Sequence, residues 1–454
     1  MPDKQTHRPN FVIFYTDDQG YGDLGCMGAS DLKTPNLDAL AASGARFTSW
    51  YSNSPVCSPS RASVLTGLYP IRAGVRSILA GHRQATGLPQ ETPTIAKALK
   101  TLGYRTALVG KWHLGVAEAA RPHHHGFDHW FGFLAGCIDY YSHIFYWEMG
   151  RGVDPVHDLW DDGREVWRNG VYFTDLITER AVAYIEEFAR SGEPFFLYVG
   201  YNAPHYPMHA PSGHIDRFPD LPPDRRIMAA MLAAMDDSVG AIVAALERLG
   251  LRQDTFIFFQ SDNGPSRETR NWLDGSHDPY YGGLTAGLKG HKFSLFEGGI
   301  RMPALMSWPE RIPAGQTIGE VGAAIDIFPT FLKAAGGDPS AYDLDGRDIL
   351  PVLTAGQPSP HEQLFWEMGK QTAVRRGPWK LVLNGQLVEG APPEDAVFLA
   401  NLDDDPAERA NLKDRHPDLA AELKAEAERW REEIEQVWTQ RWEGRTNGLT
   451  GHHR

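Results

Sequence analysis

Short runs of mostly apolar residues, spaced by longer stretches of helical periodicity, run through the first three-quarters of this chain. Residues 11–15 (Phe-Val-Ile-Phe-Tyr), 104–109, 195–199, 255–259 and 304–308 are too short for helices and rich in β-formers. Runs of that kind predict strands covered on both faces. Between them, residues 174–188 place Ile177, Ala181, Tyr184, Ile185 and Phe188 on one stripe. Residues 226–249 do the same with Met228, Met231, Met235, Val239, Ile242 and Leu246, the methionines reading as core filler. Shorter helices are predicted over 35–43, capped by Thr34 and stopped by Gly44, over a segment opened by Thr92-Pro93 and closed by Gly103, and over 326–335. Strands alternating with amphipathic helices predict an α/β fold, a large and mostly parallel sheet flanked by helices.

Two regions depart from this rhythm. Residues 116–172 are rich in Gly, His, Trp and Tyr without a clean period, as expected of a long insertion over one end of the sheet. After about Pro351 the composition shifts. Residues 372–383, with Arg375-Arg376-Gly377-Pro378, read as a hairpin and residues 396–402 as a strand. Residues 417–438 read as a terminal amphipathic helix bearing Leu419, Leu423, Trp430 and Ile434. The expected division is a large domain over 1–351 and a smaller α+β domain with antiparallel strands over 352–454.

Composition narrows the partners. A formal net charge of -14 over 454 residues argues against nucleic acid or an anionic membrane surface as the main target. No apolar run is expected to span a bilayer, and the first ten residues lack a signal peptide's apolar core. Three cysteines, Cys26, Cys57 and Cys137, show no zinc-type spacing. A reduced, cytoplasmic protein is the expectation, or a periplasmic or secreted one if a leader was removed.

Cys57 is the most informative of the three. It stands in N-S-P-V-C-S-P-S-R-A-S-V-L-T-G (53–67), where Ser58 is a suitable N-cap and Pro59 a suitable first helical residue. The thiol is then expected just outside a helix N-terminus, with Arg61 one turn on, where its pKa would be lowered. A lone cysteine is more often a small buried hydrophobe, so the surrounding chemistry has to decide. Asp17-Asp18 follow the strand at 11–15, and Lys111 and His113 follow the strand near 106. His205 follows the strand near 197, and Asp262-Asn263 the strand near 257. In an open parallel sheet ligands bind beyond the carboxyl ends of the strands. One Asp-Asp pair is often only a turn, but four strand ends with complementary chemistry indicate a site.

Asp17, Asp18, Asp262 and Asn263 offer oxygen ligands alone, which suit Ca²⁺ or Mg²⁺ and disfavour zinc. Three carboxylates against a divalent ion leave one formal negative charge. Arg61, Lys111 and Lys292, the last in a glycine-bounded loop at 289–299, then make the pocket positive and ready for a small anion. His123-His124-His125 could be a metal tract, but beside Pro122 and Gly126 it reads as an exposed loop. Tyr140, Tyr141, His143, Trp147 and Trp272 lie in segments able to line a sugar or aryl pocket.

C-S-P-S-R followed by T-G-L-Y-P, then G-K-W-H-L-G, then F-E-G-G-I-R-M-P at 296–303, form a specific set. Together they resemble the type I sulfatases of the alkaline-phosphatase superfamily. The likeness runs from Pro9-Asn10 to about Asn411, including D-D-D-P-A-E-R-A-N near its end, and Met302 stands where valine is common. It implies that Cys57 is oxidised to formylglycine by a formylglycine-generating enzyme. It further implies metal ligands Asp17, Asp18, Asp262 and Asn263 with an oxygen of the modified Cys57, the ion most often being Ca²⁺. Arg61 and Lys111 would hold the formylglycine, His113 would contact its hydroxyl, and His205 and Lys292 would bind sulfate. The implied reaction is hydrolysis of a small aryl or carbohydrate sulfate. Hydrated formylglycine offers two hydroxyls, one to attack sulfur and one to expel sulfate, where a serine would be left as a stable ester. Two other functions suit the same residues: phosphonate monoester or phosphodiester hydrolysis, since the pocket reads a tetrahedral anion first, and silent anion binding with an unoxidised cysteine.

Overall fold

The structure, a computed structural model, describes residues 8–146, 155–267 and 279–443. Strand β1 (Asn10–Thr16) is buried throughout. Helix α1 (Pro35–Ala42), strand β2 (Ala45–Phe47), helix α2 (Cys57–Thr66) and helix α3 (Ile95–Thr101) lead to β3 (Arg105–Lys111). Strands β4 (His129–Phe133), β5 (Trp160–Asp161) and β6 (Arg164–Glu165) precede α4 (Phe173–Ser191) and β7 (Phe195–Gly200). Helix α5 (Pro223–Arg248), strands β8 (Thr255–Ser261), β9 (Ala304–Ser307) and β10 (Gln316–Ile318), and helix α6 (Ile327–Ala334) complete the large unit. The ten-stranded sheet has the order β10-β2-β9-β8-β1-β7-β3-β4-β5-β6.

Five adjacent strands, β8, β1, β7, β3 and β4, are parallel; β9 runs antiparallel to β8. Along β1, Phe11, Ile13 and Tyr15 enter one apolar cluster while Val12 and Phe14 enter the cluster on the other face. Two-sided burial is why the strand reads as a continuous apolar run. The 116–172 region does more than cover the sheet, since β4, β5 and β6 extend its edge.

Two helix starts and the character of one helix differ from the sequence expectation. Helix α2 starts at Cys57 after Val56, because the Ser58 hydroxyl accepts the Leu79 N–H (3.1 Å) instead of capping. Helix α3 is capped by Thr94, whose hydroxyl accepts the Lys97 N–H, while Thr92 donates to the Ala73 carbonyl. Helix α5, at 26 residues, is long and apolar enough to cross a bilayer, contrary to expectation. Its most apolar window is 67% buried inside the fold, packed with α1 and α4, so its composition is that of a core helix.

The C-terminal region forms an antiparallel sheet of β11 (Gln363–Met368), β12 (Gln371–Arg376), β13 (Trp379–Leu383) and β14 (Val397–Asn401), backed by helix α7 (Pro417–Trp442). The expected hairpin is β12–β13; β11 was not anticipated. This sheet shares an apolar cluster with the large unit, joining Trp366, Ala373, Val382 and Phe398 to Tyr51, Leu295 and Phe296.

A buried ion cluster crosses the same boundary. Lys380 Nζ lies 2.8 Å from Glu297 Oε1 and 3.1 Å from Glu408 Oε1, all three side chains being fully buried. The Glu297 N–H donates to Glu408 Oε2 at 2.6 Å. Burial, only partly offset by Lys380, pushes Glu408 up to about 7. At Glu297 burial acts the same way but Lys380, Arg301 and Arg375 outweigh it and hold the carboxyl low. Glu408 therefore binds its proton more tightly folded than unfolded, and its contribution to stability is lost as pH rises from about 4.5 through 7. Denaturant titrations at pH 5 and pH 7 should show wild type losing stability over that interval relative to Glu408→Gln. Parallel slopes for the two proteins would dispose of this assignment. Lys380→Met, which leaves buried Glu408 without its cation while Glu297 keeps Arg301 at 3.1 Å, should cost about 3–5 kcal/mol.

Candidate active site

Strand register builds the site. Tyr15 pairs with both Gly200 and Gln260, and Gly200 pairs with Gly110, so β1, β7, β3 and β8 end level with one another. The chain beyond those ends carries Asp17-Asp18, His205, Lys111 and His113, and Asp262-Asn263. The junction is pinned by Asp17 N–H to the Ala203 carbonyl (3.1 Å), Asp262 N–H to the Thr16 carbonyl (3.0 Å) and Asp18 N–H to Asp262 Oδ1 (3.1 Å). Helix α2 points its first residue, Cys57, at the same rim. Asp18 (φ 61), His113 (φ 53) and Phe293 (φ 72) adopt left-handed backbone, strain of the kind that collects at functional sites.

Nine of the ten residues expected from the sequence are joined by contacts among themselves, and all ten are buried. Cys57 Sγ lies 3.4 Å from Asp17 Oδ1, and Lys111 Nζ 2.5 Å from Asp17 Oδ2. Arg61 Nη2 lies 3.0 Å from Asp262 Oδ2 and 3.8 Å from Asp17 Oδ1. Lys292 Nζ reaches Asp18 Oδ2 at 3.0 Å and His205 Nε2 at 3.3 Å. Asn263 Nδ2 donates to Asp18 Oδ1 at 2.7 Å. The tenth, His113, hydrogen-bonds outside the set, Nε2 to the Leu79 carbonyl at 3.2 Å.

The carboxylates of Asp17, Asp18 and Asp262 and the amide oxygen of Asn263 are the donors a hard divalent cation would take, with a thiol and an imidazole beside them. Asp17, Asp18, Cys57 and His205 each place one ligating atom within 4.8 Å of the others. Asn263 Oδ1 is buried and has no hydrogen-bond donor among the described residues, an acceptor left open on a residue whose Nδ2 is held by Asp18. Burial and the neighbouring Asp17 push Asp262 up to about 6 despite Arg61, and burial raises Asp18 although Lys292 opposes it. Crowded carboxylates of this sort call for positive charge. Without a cation, three carboxylates balance Arg61, Lys111 and Lys292; a divalent ion leaves the pocket with two formal positive charges, suited to an anionic ester.

The expected activation of the thiol is overturned. Burial pushes Cys57 well above the usual thiol range, and Lys111 and Lys292 do not offset it. The N-terminal position on α2 counts for less than the loss of water around Sγ.

Several neighbours had no readable signal in the sequence. Tyr15 Oη shares a hydrogen bond with Ser60 Oγ (2.6 Å), and its ring lies 5.4 Å from the Arg61 guanidinium, which also reaches Tyr198 Oη at 3.4 Å. Gln371, from the small sheet, donates to the Phe293 carbonyl (2.7 Å) and accepts the Leu295 N–H (3.3 Å), clasping the Lys292 loop. The residues considered for a leaving-group pocket fare differently. Tyr140 is buried and donates to the carbonyls of Asn202 (2.8 Å) and His205 (3.0 Å), so it braces the His205 loop. His143 is buried against the Val171 carbonyl, and Tyr141 packs on Tyr172 and His209. Trp147 and Trp272 lie outside the described residues. The His123-His124-His125 tract is not wholly exposed, since His125 is buried against Trp112.

A doubly covered α/β sheet with a buried cluster of carboxylates, basic side chains and one thiol at its strand ends has the architecture of the alkaline-phosphatase-like hydrolases. A family model described as Sulfatase matches residues 9–337, and one described as N-sulphoglucosamine sulphohydrolase, C-terminal, matches residues 290–433. The chain belongs to the sulfatase family and is a sulfuric ester hydrolase. It is 35% identical to N-acetylgalactosamine-6-sulfatase of Mus musculus over 397 residues, covering 82% of this chain and 71% of the relative. It is 33% identical to arylsulfatase A of Bos taurus over 467 residues, covering 91% and 85%. The crystal structure of Ps i-CgsB in complex with k-i-k-neocarrahexaose superposes with a TM-score of 0.82 at 31% identity, over 93% of this chain and 92% of that one.

Proposed function

We propose that this sulfatase cleaves the sulfate monoester of a small carbohydrate or aryl alcohol, with formylglycine made from Cys57 as nucleophile and Ca²⁺ as the divalent ion. The observation that carries the reading is the convergence of Cys57 Sγ with Asp17, Asp18 and His205 inside 4.8 Å, in the C-S-P-S-R context. A thiol pushed up by burial is a poor nucleophile at neutral pH, which favours Cys57 as a precursor rather than the working group. At 2% exposure it would have to meet a formylglycine-generating enzyme before the chain closes.

Asp17, Asp18, Asp262 and Asn263 would hold the cation, whose charge offsets that growing on the sulfuryl oxygens. As hydrated formylglycine, residue 57 supplies one hydroxyl to attack sulfur and a second to expel sulfate and restore the aldehyde. The remaining work falls to the chain's own side chains. Lys292 Nζ and His205 Nε2, 3.3 Å apart, bind sulfate oxygens. His205 Nδ1 donates to the Tyr206 carbonyl at 2.7 Å, which leaves Nε2 to carry a proton to the leaving alcohol. At His113, Nε2 donates to Leu79, so Nδ1, buried and without a partner, is the lone-pair nitrogen. Burial followed by Lys111 and Arg61 holds its pKa well below the ordinary value, keeping the ring neutral and able to take a proton. Arg61 and Lys111 fix the position of residue 57 through Asp17 and Asp262.

Steady-state kinetics on an aryl sulfate, an aryl phosphonate monoester and a phosphodiester test this reading. We expect kcat/KM to favour the sulfate by about a hundredfold or more, a gap of about 2.7 kcal/mol in the barrier. A preference for the phosphonate would support the rival chemistry. Mass spectrometry of the peptide containing residue 57 should show an aldehyde in place of the thiol, and an active enzyme with only thiol there would defeat the proposal.

A further inference from the structure

A second set of metal-ligating side chains converges away from the catalytic pocket. Glu118 Oε1 lies 3.0 Å from His123 Nε2 and 3.5 Å from His124 Nε2, and the three atoms fall within 4.8 Å of one another. Ligands sharing one tetrahedral zinc ion at bonds of 2.0–2.1 Å stand about 3.3 Å apart, so the two Glu118–histidine separations need adjustment of only a few tenths of an ångström. Consecutive residues of a 3-10 turn point their side chains apart, yet the rings of His123 and His124 sit with centroids 4.1 Å apart. Arg121 Nη1 takes the other carboxylate oxygen, Glu118 Oε2, at 3.0 Å, which turns Oε1 toward the two imidazoles. Two imidazole nitrogens and one carboxylate suit a borderline ion and disfavour the hard ions that fit the catalytic cluster.

We propose that Glu118, His123 and His124 form a second metal site that takes one divalent ion of the zinc class. Their side chains are 66%, 37% and 34% exposed, so the ion enters from solvent and completes its coordination with water. Occupation fastens the segment that backs the catalytic pocket. The Ala120 carbonyl, inside the ligand span, accepts from Trp112 Nε1 at 2.9 Å, and the His125 ring packs 5.4 Å from Trp112, which stands between Lys111 and His113.

The test is calorimetric titration of Zn²⁺ into the full-length protein and into a His123→Ala/His124→Ala double variant, both held in excess Ca²⁺ to occupy the oxygen site. We expect wild type to bind one zinc equivalent more than the double variant. Glu118→Gln should weaken that equivalent by at least about tenfold. Co²⁺ in place of zinc should give tetrahedral visible absorption in wild type that the double variant lacks, and zinc should raise the Tm of wild type alone. Unchanged aryl sulfate turnover would show the double variant to be folded. Equal zinc stoichiometry together with identical cobalt spectra would overturn the proposal and leave Glu118, His123 and His124 as a hydrogen-bonded surface cluster.

Discussion

Cys57→Ala is expected to reduce turnover of an aryl sulfate to background, a loss of at least about 10⁴-fold, because nothing else in the pocket can form the covalent intermediate. The fold should survive. Sγ is small and, among the described residues, its one short polar contact is with Asp17 at 3.4 Å, so the stability cost should be about 1–2 kcal/mol, read from a thermal melt. Cys57→Ser is the sharper variant, since it restores a single hydroxyl at the right place. It should attack sulfur once and stop, having no second hydroxyl with which to expel sulfate. The expected readout is one equivalent of alcohol released, followed by a protein heavier by one sulfuryl group. Sustained turnover by the serine variant would rule out the need for two hydroxyls on one carbon.

Stripping the divalent ion with a chelator is expected to abolish turnover and to lower Tm by several degrees. Burial, reinforced by the neighbouring Asp17, pushes Asp262 up to about 6, and Asn263 Oδ1 has no hydrogen-bond donor among the described residues. An ion present at a thousand times its Kd stabilises the native state by about 4 kcal/mol. Activity and Tm should return together on adding Ca²⁺, and comparison with Mg²⁺ identifies the preferred ion. Asn263→Ala, which deletes the unpartnered oxygen, should raise the Ca²⁺ concentration needed for half-recovery by about tenfold or more. A melt and a turnover rate both indifferent to chelation would mean that the cluster holds no metal.

Much of this was legible before any coordinates. A strand buried on both faces must be apolar throughout, so β1, β7 and β8 announced themselves, and the polar residues just beyond them marked the rim. Strand β11 and strands β4 to β6 toward one margin of the large sheet did not, because these short strands carry neither a long apolar run nor clean alternation. Tyr140 was open to misreading for a related reason. An aromatic residue in a glycine-rich insertion looks the same in sequence whether it lines a pocket or, as here, buries its hydroxyl against the carbonyls of Asn202 and His205.

The sequence by itself determined the α/β class, the chemistry available at each strand end and, through C-S-P-S-R and its companion motifs, the family. Register and burial were decided only by the tertiary structure. The level ends of β1, β7, β3 and β8 bring Asp17, Lys111, His205 and Asp262 to one point from positions up to 245 residues apart (262 − 17). The pKa of Cys57 was decided there too: a helix N-terminus favours thiolate, but exclusion of water disfavours it more. Local sequence names the groups that carry charge, while the dielectric around them depends on every element packed against them, Gln371 and the small sheet included.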